Sequence, residues 1–197
     1  MLPSVFRMRR FIIALASLLT LCALVSPCAE AQRETSSVAK TRKTKAIRYG
    51  GKMSHVAKAL KEAGYLSELQ AKPRARFYIF FCSASWCGIC QQMLPQVIAE
   101  YEQKICRRKD VELILLNHDQ TPEAGREYME HHAPMLPGVQ MQNLRLESKP
   151  TYKYIPACFI MNDKGQLITV GGGDVLLNWE KEIKRKPGSG PNRYPDR

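Results

Sequence analysis

Apolar and polar positions along the chain follow a small number of rhythms. Phe11 to Val25 is an apolar run broken only by Ser17 and Thr20, and the stretch from Arg33 to Lys52 that follows holds few large apolar residues. Val56, Ala59, Leu60 and Ala63 then recur at three- and four-residue spacing before Gly64, which predicts an amphipathic helix over 53–64. Residues 76–82 are almost continuously apolar, as expected of a central strand covered on both faces. After Cys90, the positions Met93, Leu94, Val97, Ile98, Tyr101 and Ile105 predict a long helix with one buried face. Pro95 lies inside it, where it should remove a backbone hydrogen bond and kink the axis. Val111 to Leu116 reads as a second fully apolar strand, and Pro122 to His132 as a helix with proline in its first turn.

The pattern loosens from Ala133 to Tyr154, which carries Pro134, Pro137, Gly138 and Pro150 without a clean period. This predicts a long loop, and loops of that length in a compact domain are usually functional. Ala157 to Met161 and Gln166 to Val170 flank Asn162-Asp163-Lys164-Gly165 and read as a β-hairpin. Asp174 is expected to cap a last helix with Leu176, Trp179 and Ile183 on one stripe, Trp179 being core. Strand, helix, strand, helix, hairpin, helix is an α/β pattern with a mixed sheet. In open sheets of this kind the site lies beyond the carboxyl ends of the strands, which brings Cys87 and Asn117-His118-Asp119 to one rim.

Length and charge narrow this further. At 197 residues the chain suits a single domain with a proper core, and its formal charge of +12 favours anionic membrane surfaces, acidic partners or nucleic acid. No basic repeat interleaved with aromatics favours nucleic acid, which is therefore not expected as a partner. Arg7, Arg9 and Arg10, the apolar run and the small-residue site Ala29-Glu30-Ala31 have the layout of a secretory signal peptide over 1–31. Export to a periplasm is the expectation, with cleavage after Ala31. An uncleaved anchor would ask the apolar run to span a membrane for which it is short, and Pro27 disfavours Cys28 as a lipoprotein acceptor. Residues 32–52 read as a basic flexible linker, with contact to an anionic surface as the alternative. Residues 53–186 form the expected domain, and 187–197 a disordered tail.

The candidate chemistry lies in Trp86-Cys87-Gly88-Ile89-Cys90. A Cys-x-x-Cys between a strand and a helix puts its first sulfur at a helix N-terminus, where free N–H groups and the macrodipole stabilise a thiolate, and within reach of the second thiol. A structural disulfide is the bland alternative. Haem attachment fails because Gln91, not histidine, follows Cys90. Export would leave five cysteines, an odd number. Cys82, Cys106 and Cys158 read as buried small hydrophobes, although a second disulfide between Cys82 and Cys158 is conceivable. His118 and Asp119 read as turn formers with a tuning role as the alternative. His131, His132, Met135 and Met141 invite a copper reading, in which Cys87 and Cys90 would bind Cu(I). Solvated histidines are the simpler account, and no metal ligands are assigned.

These motifs together resemble the thioredoxin family. Trp86-Cys87-Gly88-x-Cys90 is similar to its active site, and Pro95 matches the proline of its active-site helix. Leu116 to Pro122 is similar to the turn after its third strand, and Ile155-Pro156 matches its cis-proline. The resemblance covers residues 53–186. It implies a thioredoxin fold, three-layer α/β/α with a central mixed β-sheet. The implied activity is thiol–disulfide exchange with Cys87 as nucleophile and Cys90 as resolving cysteine. Trp86, Gly88, Ile89, Ile155 and Pro156 would bind or tune the substrate, Trp86 shielding the rim. No cofactor is implied beyond the redox-active Cys87–Cys90 disulfide, and the partners would be disulfide-containing exported proteins and an upstream thiol donor. Reduction is the expected direction; oxidant and isomerase are the alternatives. The chain departs from the family at Phe81, where a buried acid is usual, and at Ile89, where thioredoxin has proline. Its long 133–154 loop resembles the exported thioredoxin-like reductases or the tryparedoxin and nucleoredoxin branch.

Overall fold

The computed structural model describes residues 52–148 and 150–190. The expected signal peptide, all but the last residue of the basic linker and positions 191–197 of the tail lie outside the described residues. In chain order the elements are α1 (His55–Ala63), β1 (Phe77–Ser83) and α2 (Gly88–Glu100), which runs into a π-helical turn (Tyr101–Ile105). Then come β2 (Val111–Asn117), α3 (Pro122–His132), β3 (Gly138–Gln140), β4 (Ala157–Asn162), β5 (Leu167–Gly171), and the short helices α4 (Gly173–Leu177) and α5 (Trp179–Glu182).

The strands form one five-stranded sheet in the order β3-β2-β1-β4-β5. β1 pairs parallel to β2, which pairs parallel to β3, whereas β4 is antiparallel to both β1 and β5. Strand alternation divides the core in two. Ile79 and Phe81 of β1 pack with Leu113 and Leu115 of β2 beneath Leu94 and Val97 of α2, Tyr128 of α3 and Trp179 of α5. Tyr78, Phe80 and Cys82 face the other way, toward Ile114, Leu116 and the Val56, Ala57 and Leu60 stripe of α1. The result is the expected three-layer α/β/α architecture around a mixed sheet.

Local chemistry explains most element ends. Ser54 caps α1, its hydroxyl accepting from the Ala57 N–H at 3.0 Å. Gly64 stops that helix at φ 79°, and Gly165 turns the hairpin at φ 79°, both left-handed positions that glycine adopts without a Cβ penalty. Pro122 occupies the first turn of α3 behind the Thr121 cap.

Several expectations are corrected. β2 is not apolar throughout: Glu112 lies in it fully buried and accepts from the Lys72 N–H at 2.9 Å, with Lys72 Nζ 3.5 Å away. The 133–154 stretch is not only loop, because β3 adds a parallel edge strand and a 3-10 turn over Met141–Asn143 follows it. Asp174 does not cap the last helix; the cap is Gly172, and the helix breaks at Asn178 into α4 and α5. Past Pro95, α2 runs on into a π-helical turn that the sequence pattern did not predict, where the Cys106 N–H reaches the Tyr101 carbonyl at 2.8 Å. Residues 187–190 are ordered against β5, Gly188 N–H donating to the Leu167 carbonyl at 2.9 Å.

Candidate active site

β1 ends at Ser83, still paired with Asn117 of β2, and the chain turns through Ala84 to Trp86 into α2. The Cys87 N–H donates to the Ala84 carbonyl at 3.1 Å, closing that turn. Cys87 is itself the N-cap of α2, and its sulfur accepts from the Cys90 N–H at 3.2 Å. A thiolate at this position is therefore met by a hydrogen-bond donor and by the positive end of a 13-residue helix. Cys87 and Cys90 are closed as a disulfide with their Cα atoms 5.2 Å apart. Cys87 keeps 7% of its surface exposed and Cys90 none, so an incoming sulfur can meet only Cys87.

Opposite the disulfide lies the loop that leads into β4. Ile155-Pro156 is a cis peptide, and the Ile155 carbonyl stands 3.8 Å from Cys87 Sγ. Ile155 packs on the small apolar cluster of Ala84, Cys87 and Cys90.

A third segment, after β2, fastens the turn from behind. The buried Asp119 carboxylate accepts from the Ser85 N–H at 3.0 and 3.2 Å, from Ser85 Oγ at 2.7 Å and from Asn117 Nδ2 at 2.8 Å. The Asn117 side-chain oxygen accepts from the Asp119 N–H at 3.0 Å, Gln140 Nε2 donates to the Asp119 carbonyl, and the His118 N–H donates to the Ser83 carbonyl at 2.8 Å. α3 approaches this network at Gly125, where a Cβ would lie 2.8 Å from both Asn117 Oδ1 and Gln140 Oε1. His118 Nε2 is 3.0 Å from the Tyr152 hydroxyl. Burial holds the His118 imidazole below its ordinary pKa, with the Asp119 charge acting the other way.

Residues 76–167 match the thioredoxin-like family model. Over these residues the chain carries a thioredoxin-like domain. Solved structures to which the chain is similar include tryparedoxin II from C. fasciculata, at 22% identity over 72% of this chain and 99% of that one, with a TM-score of 0.48. Thioredoxin from Wuchereria bancrofti follows at 21% identity over 56% and 84%, TM-score 0.45, and StoA from Bacillus subtilis at 20% over 54% and 84%, TM-score 0.41. No curated protein matches the sequence.

The thioredoxin-like domain thus carries a Cys-x-x-Cys disulfide at the start of α2, the arrangement of a thiol–disulfide oxidoreductase. It brings together all seven residues singled out from the sequence. Trp86, Gly88 and Ile89 surround the disulfide on one side and Ile155 and Pro156 on the other. Trp86 and Ile89 both stand out in solvent. Sequence reasoning left Asp119 as a turn former and had no signal for Ser85 or Gln140, whose roles depend on contacts across 34 and 21 residues.

The remaining thiols stand apart. Cys82 pairs with Ala157, and Cys158 with Phe81, so the two cysteines face opposite sides of the sheet and cannot form the conceivable second disulfide. Burial pushes the Cys82 thiol up to about 12 and the Cys158 thiol well above its ordinary value, which leaves both unreactive. Cys106 is not buried as expected but half-exposed, its Sγ donating to the Glu102 carbonyl at 3.2 Å. The copper segment does not converge: Met135 packs on one core and Met141 on the other, across the sheet. Among the described residues no group of three or more His, Cys, Asp or Glu is gathered for a metal, and no helix is long and apolar enough to cross a membrane.

Proposed function

We propose that this protein is an exported thiol–disulfide oxidoreductase that reduces disulfides in partner proteins. The observation that carries the reading is the placement of Cys87: a nearly buried sulfur at the N-terminus of α2, accepting the Cys90 N–H, with the Ile155 carbonyl 3.8 Å away. An upstream dithiol donor first reduces the Cys87–Cys90 bond. The Cys87 thiolate then attacks one sulfur of a substrate disulfide, forming a mixed disulfide and releasing the other sulfur as a thiolate. Cys90 gives up its proton and attacks Cys87 Sγ, which re-forms the intramolecular bond and expels the second substrate thiolate. Two electrons pass to the substrate, and the donor restores them. Trp86, Gly88 and Ile89 on one side and Ile155 and Pro156 on the other form the surface on which the substrate backbone rests.

The reducing direction is supported by Gly88 and by Ile155 before the proline, both of which resemble thioredoxin. A potential of about −270 mV fits this reading, and one near −120 mV would make the protein an oxidant. Export is supported by Arg7 to Arg10, the apolar run and Ala29-Glu30-Ala31. The basic residues from 33 to 52 would hold the mature chain near anionic surfaces.

One experiment tests the whole reading. The full chain carrying Cys90→Ser is expressed in a bacterium with a periplasm, and disulfide-linked partners are collected without reductant. Mixed disulfides through Cys87 are expected in the periplasmic fraction, on a chain that begins at Gln32. Their absence, or their persistence in Cys87→Ser/Cys90→Ser, overturns the exchange mechanism.

A further inference from the structure

The two ends of the sheet differ in charge. β1 runs from Phe77 to Ser83, so Arg76 enters it at one end and Cys87 follows it at the other, roughly 20 Å away along the strand. At the Arg76 end the chain returns repeatedly. The Arg76 N–H donates to the Asp110 carbonyl and the Asp163 N–H to the Arg76 carbonyl, both at 2.8 Å. The His55 N–H donates to the Asp163 carbonyl at 2.9 Å and the Ser54 N–H to the Pro73 carbonyl at 3.1 Å, which brings in the start of α1 and Lys52 before it. Five exposed cations, Lys52, Arg76, Arg107, Lys109 and Lys164, thereby share this base. Among the described residues none of the five is in an ion pair. Of the two aspartates there, Arg108 holds Asp110 at 2.6 Å, which leaves Asp163 as the acid facing them.

The disulfide end carries almost no charge: segments 84–91, 117–121 and 151–156 hold Asp119, which is buried, and Lys153. The exposed aromatics Trp86 and Tyr154 belong to these segments, so the base offers cations without exposed rings on which nucleobases could stack. Beside the start of α1 the base opens into a hollow of about 360 Å³ lined by Lys52, His55, Lys58, Arg145 and Lys164, with Met53, 38% exposed, also in its wall. Its acids are Glu62, which Lys58 meets at 3.8 Å, and Glu147. Cations around a recess of this size, with an apolar side chain among them, suit phosphate head groups and the first methylenes below them. The basic stretch that begins at Arg33 joins the domain at Lys52, within this base.

We propose that the base docks on an anionic lipid bilayer through Lys52, Arg76, Arg107, Lys109 and Lys164, and so turns the Cys87–Cys90 disulfide away from the membrane. This goes beyond the surface contact read from the linker, since it gives the folded domain a face of its own and an orientation. It does not depend on the exchange reaction. A disulfide at the far end stays open to partners in solution while the domain is bound.

The test uses the chain from Gln32 onward, which includes every described residue, and vesicles of phosphatidylcholine with or without phosphatidylglycerol. Cosedimentation with the anionic vesicles alone is expected, weakening as salt rises. Lys109→Gln/Lys164→Gln should lower the partition coefficient about thirtyfold. Lys61→Gln/Arg126→Gln removes the same charge from α1 and α3 and should stay within about threefold. Brominated phosphatidylglycerol should leave the fluorescence of Trp86, the exposed one of the two tryptophans, unquenched. Failure to bind anionic vesicles, or a loss in the first variant no larger than in the second, overturns the proposal. So does quenching of Trp86, which would put the disulfide end on the bilayer. Loss in Arg42→Gln/Lys43→Gln with Lys109→Gln/Lys164→Gln unchanged would leave the linker contact standing and remove the base. Tighter binding to a DNA duplex than to the vesicles, abolished by Lys109→Gln/Lys164→Gln, would assign the base to nucleic acid instead.

Discussion

Asp119 offers two carboxylate oxygens to three donors, two of them from Ser85, and all lie at 2.7 to 3.2 Å. Because Ser85 sits between Ala84, which accepts the Cys87 N–H, and Trp86, the carboxylate fixes the turn that presents Cys87. Hydrogen bonds to a buried charge each contribute roughly 1.5 to 3 kcal/mol, and donors left unmet add a desolvation cost. Asp119→Ala is therefore expected to lower stability by about 3 kcal/mol in urea titration and to reduce kcat/KM for a peptide disulfide by about tenfold. Ser85→Ala removes only the hydroxyl donor and should cost about 1 kcal/mol. Unchanged urea midpoints in both variants would show that the clamp is not what holds the turn. At this scale the sequence was legible for Cys87, Cys90 and Pro156, whose residue types carry their own chemistry. It was mute for Ser85 and Gln140, since a serine or glutamine acquires a role only from the acceptor that folding places beside it.

Among the elements, β2 shows the same limit. Its apolar run is legible, but Glu112 in its midst has no local partner: Lys72, which supplies an N–H at 2.9 Å and an ammonium at 3.5 Å, lies forty residues upstream. Lys72 Nζ also donates to the Ile105 and Val111 carbonyls at 3.1 and 2.9 Å, so the pair ties the segment before β1 to the ends of the π turn and β2. Removing one member of such a pair leaves the other unmet, and Glu112→Ala should cost about 3 kcal/mol. The reaction at Cys87 should be unaffected, because Glu112 pairs with Tyr78 at the far end of β1. Burial raises the Glu112 carboxyl above its usual 4.5 despite the nearby ammonium. The folded state thus binds this proton more tightly than the unfolded chain does. That contribution is full below pH 4.5 and is lost as pH rises through the folded value. Glu112→Gln does not titrate, so urea midpoints measured from pH 4 to 8 should show a flatter curve than wild type over that rise. An identical curve would remove Glu112 as its source. The 133–154 stretch was read as loop because β3 is three residues long, too short to show a period. It forms a strand only because β2 offers a free edge and Leu66 N–H a bond to the Gly138 carbonyl at 2.8 Å.

For the molecule as a whole, both sheet edges are covered by the chain's own backbone. Tyr65 bridges Val139 on β3, and residues 187–190 run along β5, where Gly190 approaches the Ile168 carbonyl so closely that a Cβ there would clash with it. An uncovered edge invites pairing with another copy. Truncation after Lys186 is expected to lower Tm by about 3 °C and to produce concentration-dependent association in gel filtration, with the Cys87–Cys90 potential unchanged. A truncated protein that stays monomeric with an unaltered Tm would show the tail to be idle. The sequence by itself determined the alternation of helices and strands, the mixed sheet, the rim on which Cys87 and Asn117 to Asp119 meet, and a thiol pair whose exchange chemistry the family resemblance implied. These follow from local periodicity and from the intrinsic reactivity of two thiols at a helix start. Tertiary structure alone decided that Cys82 and Cys158 face opposite cores, that Asp119 clamps the reactive turn, and that the Ile155 carbonyl stands 3.8 Å from Cys87 Sγ. Each of these depends on strand register or on a contact between distant segments, and no local pattern encodes either one.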